Sequence, residues 1–186
     1  IRVQNHGRTI AKEKLEHMNQ ILSDLYVRDS VTGLYNRMGY QKLSISYFTI
    51  MREKKMPVLV MFIDLDRLKY INDTFGHEYG DFAIVSIAKA MLKHCDADAI
   101  AARTGGDEFI VLEGAKDEES GRVLAQKIRT ELSKTQRAMQ LPFDLSASIG
   151  AVVAHPGEEN VLESYVKRAE MLMYEEKAEK KVSRDS

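Results

Sequence analysis

Asp107 and Glu108 stand directly behind Gly105 and Gly106 in the stretch Arg103-Thr104-Gly105-Gly106-Asp107-Glu108-Phe109. Apolar runs flank it, Ala99 to Thr104 and Phe109 to Leu112, so the stretch reads as a β-hairpin with two carboxylates pushed toward solvent at the bend. Glycine there permits positive φ and lets a ligand approach the backbone. The plain alternative is an ordinary hairpin with a solvated acidic tip. A second acidic pair, Asp64 and Asp66, ends the apolar run Pro57 to Ile63. Strand alternation puts both on one side if the strand persists that far. Carboxylates at the end of a buried strand are unfavourable unless paired or bound to a cation, and hard oxygen ligands suit magnesium or manganese. A solvated strand-end loop is the alternative here.

Lys69 follows at helical spacing, and residues 71–81 then carry polar side chains able to read a base edge. Asn72 offers donor and acceptor together. An Asp carboxylate accepts from two N–H groups, which matches the N1–H and exocyclic amine of guanine. The competing reading is a capped loop in which Asn72 and Asp73 turn the chain and Asp81 begins a helix. Near the C-terminus, Lys177 and Lys181 lie in a mixed-charge run that reads as a solvated helix end, unless the fold brings them to a phosphate.

The elements that must position these groups follow from periodicity. Ala11, Leu15, Met18, Leu22 and Leu25 recur at spacings of four and three, either a short coiled-coil seam or one amphipathic helix. Asp29 to Asn36 is turn-rich, and Asn36 can cap a helix from Arg37 to about Lys54, with Leu43, Tyr47, Ile50 and Met51 inward. Pro57 to Ile63 is a buried central strand. A helix over Asp81 to His94 buries Phe82, Val85, Ile87, Ala88 and Leu92. Helices follow at about 117–134 and 161–180, separated by a strand over Phe143 to Ala154 with an expected kink at Gly150.

Composition narrows the function classes. The 186 residues suit one domain, and a net charge of -1 gives no global pull toward nucleic acid or membrane. One cysteine, Cys95, cannot close an internal disulfide, which fits a reducing, cytoplasmic compartment. No apolar run is long enough to span a bilayer. The chain starts without Met, so a piece of a longer, membrane-anchored sensor protein is compatible with it.

Beyond the N-terminal helix and the 37–54 helix, the order strand, helix, strand, strand, helix, strand, helix is the ferredoxin-like split βαβ pattern. The expected fold is α+β, a mostly antiparallel sheet flanked by helices. Right-handed crossovers place the first strand beside the hairpin, so Asp64, Asp107 and Glu108 could converge on one cation site with Lys69 as counter-charge. Such a cluster suits metal-assisted phosphoryl or nucleotidyl transfer.

At this point the chain resembles a GGDEF domain, a diguanylate cyclase, over roughly Asp29 to Lys181. The matching stretches are DSVTGLYNRMGY at 29–40, FIDLDRLKYINDTFGHEYGD at 62–81, RTGGDEF at 103–109, SASIGA at 146–151 and RAEMLMYEEK at 168–177. The resemblance implies a nucleotidyl-cyclase palm over 29–182, preceded by a helical signalling stalk at 1–28 and an upstream sensor domain. It implies two GTP-loaded halves meeting as a homodimer and forming cyclic di-GMP with loss of two pyrophosphates. Two Mg2+ or Mn2+ ions per site would be held by Asp64, Asp107 and the Leu65 carbonyl, with Glu108 as a further metal ligand. Asp107 or Glu108 would help deprotonate the 3′-hydroxyl, Lys69 would neutralise the phosphates, and Gly105 and Gly106 would admit the substrate. Asn72 and Asp81 would read guanine, His77 would complete the pocket, and Lys177 would bind phosphate.

The chain departs from the family pattern in places. Arg67 replaces an aromatic or His, and Lys180-Lys181 replaces Gly-Arg. An Arg-x-x-Asp motif that binds inhibitory product is replaced at its two key positions by Asp96 and Ala99. Two rival readings are a catalytically silent GTP- or ligand-binding module and a mixed-purine dinucleotide synthase. The intact Asp64, Asp107 and Glu108 argue against the first, and Asp81 argues against the second.

Overall fold

The computed structural model describes Lys12, Lys14, Met18, residues 26–158 and residues 161–185. Met18 is helical and exposed, while Ala11, Leu15, Leu22 and Leu25, the rest of the seam expected in the 1–28 stalk, lie outside the described residues. The elements are α1 (Arg37–Glu53), β1 (Val58–Leu65), α2 (Leu68–Phe75), α3 (His77–His94), β2 (Ile100–Arg103), β3 (Glu108–Gly114), α4 (Ser120–Ala138), β4 (Ala147–Ala154) and α5 (Leu162–Asp185). The strands form one sheet in the order β2-β3-β1-β4, every neighbouring pair antiparallel. This is the α+β arrangement that the element order implied. No helix among the described residues is long and apolar enough to cross a membrane.

The central strand β1 dictates the layering. Leu59, Met61, Ile63 and Leu65 pack with Ile84, Ile87 and Met91 of α3 and Leu124, Ile128 and Leu132 of α4. The alternate set, Val58, Val60 and Phe62, packs with Phe48 and Met51 of α1 and with Tyr165, Ala169 and Met173 of α5. Helices on both faces therefore turn an alternating strand into a continuous apolar run. Asp64 continues the second set and emerges on the side of α5.

Four local expectations are corrected. Residues 68–75 are helical, and α3 starts at His77 rather than Asp81. Leu68, Ile71 and Phe75 form an apolar stripe that the intervening polar residues conceal, and Phe75 joins Tyr70, Tyr79 and Phe143 in an aromatic cluster. The two helices are separated by Gly76 at φ 99°, a conformation that favours glycine. The strand β4 begins at Ala147, because Phe143 is drawn into that cluster and Leu145 N–H donates to the Gln136 side chain at 3.0 Å. Gly150 does not kink β4. A Cβ there would lie 1.9 Å from the Ala169 carbonyl oxygen and 2.5 Å from the Met173 nitrogen, so α5 rests its backbone directly on the strand. Ile50 and Leu92, expected inside, are exposed, since Phe48 and Met51 on α1 and Ala88 and Met91 on α3 hold the inward positions.

Candidate active site

The hairpin bend is built from both of its sides. Thr104 and Gly105 N–H groups donate to the Glu108 carbonyl at 3.0 and 3.3 Å. Gly105 does not take a positive φ, contrary to expectation; a Cβ there would fall 2.6 Å from a Glu108 carboxylate oxygen, so a larger residue would push that side chain aside. Gly106 also lacks positive φ, and the position a Cβ would take is open space. The Thr104 hydroxyl is buried and has no hydrogen-bond partner among the described residues. Arg103 braces the bend by donating to the Gly106 carbonyl at 2.8 Å, and it pairs with Asp29 at 3.3 Å. Asp29 in turn accepts from Thr32 N–H at 2.9 Å, and Tyr35 bridges its backbone to β2 through Ala101 and Arg103. Burial acts to raise the Asp29 pKa, but the Thr32 bonds and the Arg103 charge outweigh it and leave it lowered.

Register brings the two acidic pairs together. Asp64 lies opposite Glu108, and Leu65 N–H donates to the Asp107 carbonyl at 2.9 Å. Asp64 and Asp66 do share a side, and each meets a lysine of α5. Lys177 Nζ donates to Asp64 at 2.7 Å, and Lys180 Nζ donates to Asp66 at 3.0 Å. Ser146 and Ser148 donate to Asp66 as well, at 2.9 and 2.6 Å. Burial pushes the Asp64 pKa up, aided by Asp107 and only partly offset by Lys177. Burial also acts to lower the Lys177 pKa, but the Asp64 bond and the charges of Asp107 and Asp66 carry it above the usual range. For Asp66, burial is outweighed by the Ser148, Lys180 and Ser146 bonds, and its pKa is lowered.

A cavity of about 570 Å³ opens beside these pairs, lined by Asp66, Arg67, Leu68, Lys69, Asp107, Lys177, Lys180 and Lys181. Five cationic side chains around one concavity suit a polyphosphate. Arg67 takes a left-handed backbone at φ 61° and stacks its guanidinium 3.8 Å over Tyr70. Asn72, His77 and Asp81 do not line this cavity. They sit on the adjoining helices α2 and α3, where the Asn72 side-chain oxygen lies against Gly80, 1.9 Å from where a Cβ would stand. His77 and Asp81, four residues apart on α3, share a face beside it.

The donor set of Asp64, Asp107 and the Leu65 carbonyl is all hard oxygen and fits Mg2+ or Mn2+. It is not a ready-made cluster. Among the described residues no three acidic, His or Cys side chains converge closely enough to hold an ion. The Glu108 carboxylate lies over Gly105, and Lys177 occupies one oxygen of Asp64.

Three features escaped the sequence reading. The Asp29–Arg103 pair joins residues far apart in the chain, which no local pattern reveals. The clasp on Asp66 had a weak signal, since Lys180 stands three residues after Lys177 and Ser146 and Ser148 alternate toward the same face. Arg67 was noted only as a departure, and nothing in its neighbours announces the left-handed turn.

The family described as "Diguanylate cyclase, GGDEF domain" matches residues 26–183. Diguanylate cyclase VdcA of Vibrio cholerae is 34% identical over 153 residues, which cover 80% of this chain and 43% of that protein. Diguanylate cyclase DgcP of Escherichia coli is 31% identical over 172 residues, covering 90% of this chain and 49% of that protein. The chain thus spans less than half the length of these two relatives. The solved coiled coil and GGDEF domain of DgcB from Caulobacter crescentus, in complex with c-di-GMP, is similar with a TM-score of 0.76. That match covers 95% of this chain and 94% of the other at 22% identity, and so supports the fold alone. With the family match running from Tyr26 to Ser183, across the hairpin and the α5 lysines, the chain belongs to the GGDEF diguanylate cyclase family.

Proposed function

We propose that this domain condenses two GTP molecules into cyclic di-GMP, each half of a homodimer contributing one loaded site. The supporting observation is the single cavity that holds Asp107 among Lys69, Lys177 and Lys181, next to the Asp64–Glu108 strand pair. In this reading Lys69, Lys177 and Lys181 take the triphosphate, and Asn72 with Asp81 reads the guanine edge from the α2–α3 groove beside His77. Asp64, Asp107 and the Leu65 carbonyl would hold Mg2+ or Mn2+, which when bound neutralises phosphate charge. Asp107 or Glu108 accepts the proton of a 3′-hydroxyl. That oxygen attacks the α-phosphorus of the opposite GTP, a new P–O bond forms, and pyrophosphate leaves. Lys69 balances the charge that develops on the phosphates.

The test is incubation with GTP, ATP and Mn2+ followed by mass identification of products. Cyclic di-GMP supports the proposal. Nucleotide binding without turnover points to a silent module, and a mixed-purine dinucleotide points to altered base choice. Glu108→Gln should abolish product formation while leaving the melting temperature unchanged, and normal turnover by that variant would sink the assignment.

A further inference from the structure

Lys180 lines the phosphate cavity, but its ammonium is already spoken for. Besides Asp66 at 3.0 Å, it donates to the Ala147 carbonyl at 2.7 Å and pairs with Glu176 at 2.8 Å, with the Ser148 hydroxyl at 3.3 Å. Three N–H groups facing four acceptors leave no donor for a ligand. Glu176 extends the network, accepting from Arg129 of α4 at 2.7 Å and from the Ile149 N–H of β4 at 3.2 Å. Asp66 is buried and joins the same chain of bonds from the end of β1. Lys181 and Lys69, by contrast, have no hydrogen-bond or ion-pair partner among the described residues, and Lys177 has Asp64 alone.

We propose that Lys180 is a positioning residue that sets the C-terminal turns of α5 so that Lys177 and Lys181 face the phosphate cavity. The helix is held at two points. Gly150 admits its backbone at Ala169 and Met173, and the Lys180 clasp fixes it to Asp66 further along. Lys177 lies between those points and Lys181 directly follows the second, so both ammonium groups inherit their placement from the clasp. Without it, the Lys177–Asp64 and Glu176 contacts remain on this stretch, and a lysine leaving for a phosphate weakens that hold further.

The inference rests on the nucleotide-binding reading of the cavity. The test measures affinity for a non-hydrolysable GTP analogue, alongside hydrogen exchange over residues 174–183. Lys180→Ala should weaken binding roughly 10-fold, as loss of a supporting contact commonly does. It should also speed exchange in the last turns. Asp66→Asn should reproduce both effects, and Lys180→Arg should restore most of the affinity. With Lys177 and Lys181 already replaced by alanine, Lys180→Ala should cost little further affinity. Unchanged analogue binding and exchange in Lys180→Ala would overturn the inference. So would a full further loss in the triple variant, which would mean that Lys180 touches the nucleotide itself. Should Lys180→Ala fail to fold, Lys180→Arg and Asp66→Asn carry the same comparison. Absence of analogue binding by the unaltered chain would instead overturn the functional reading beneath it.

Discussion

Gly150→Ala tests whether the seat of α5 on the sheet controls the lysine-lined cavity. The added Cβ would stand 1.9 Å from the Ala169 carbonyl oxygen, against about 3.4 Å for an ordinary contact, so the helix or strand must yield by about 1.5 Å. The obstacle is helix backbone, which no rotamer change relieves. Overpacking of this kind costs about 1–3 kcal/mol, or a fall in melting temperature of roughly 2–12 °C for a domain this size. Lys177 lies one turn beyond Met173 and moves with the helix, away from Asp64, which it now meets at 2.7 Å. A misplacement of this order costs about 100-fold in rate. Thermal melting and GTP turnover measured on one preparation give both numbers. Gly121→Ala is the control, because its clash is with Ala151 and Leu59 of the sheet, on α4 and away from Lys177. It should lower melting while leaving most turnover. Melting within about 1 °C of the unaltered chain, with turnover within about twofold, would refute the reasoning.

Other outcomes follow from particular residues. Asp81→Ser should narrow the preference for GTP over ATP in competition assays, since the carboxylate proposed to accept from the guanine amine is removed; unchanged selectivity would mean that other groups read the base. Asp29→Asn should weaken the brace on Arg103, costing about 1 kcal/mol in denaturant unfolding and speeding hydrogen exchange at residues 104–107; exchange unaltered there would count against the brace. Burial, with Asp96 and Asp98 nearby, raises the Glu113 pKa despite the bond from Asp96 N–H and the charge of Lys127. Its stabilising contribution is therefore full below the unfolded carboxylate pKa and is lost as pH rises through the folded value, so Glu113→Gln should flatten that limb of the stability–pH profile. Cyclic di-GMP should not inhibit through Asp96 and Ala99, where the Asp96 N–H already binds the Glu113 carboxylate at 2.9 Å and both charges repel an anion. Inhibition that persists at saturating GTP and vanishes in Asp96→Ala would contradict this.

What the sequence disclosed depended on the range of the interaction. Asp64 and Asp66 both meet lysines of α5, as alternation suggested, although β1 ends at Leu65, and the Asn36 cap is present, its side chain accepting from Gly39 N–H at 2.8 Å. Element order was enough to bring the end of β1 to the hairpin bend. The helix α2 was hidden because its buried face needs Phe143, nearly seventy residues away, to become a core. At Gly105 the contact with the Glu108 carboxylate was hidden for a similar reason, since it depends on a neighbour's rotamer and not on the glycine's own dihedral angles. Ion pairs between β1 and α5 lay beyond any periodicity, although the lysines themselves were visible.

The run from Asp29 to Asn36 acts mechanically as a tendon. It is sewn to β2 by the two Tyr35 backbone bonds of 3.0 and 2.8 Å and knotted to the acidic bend through the guanidinium of Arg103. Torque or tension applied to this run would reach the Gly106 carbonyl through Tyr35 and Arg103, while Leu34 keeps the run anchored in the core. A transmission of this kind is indifferent to what does the pulling.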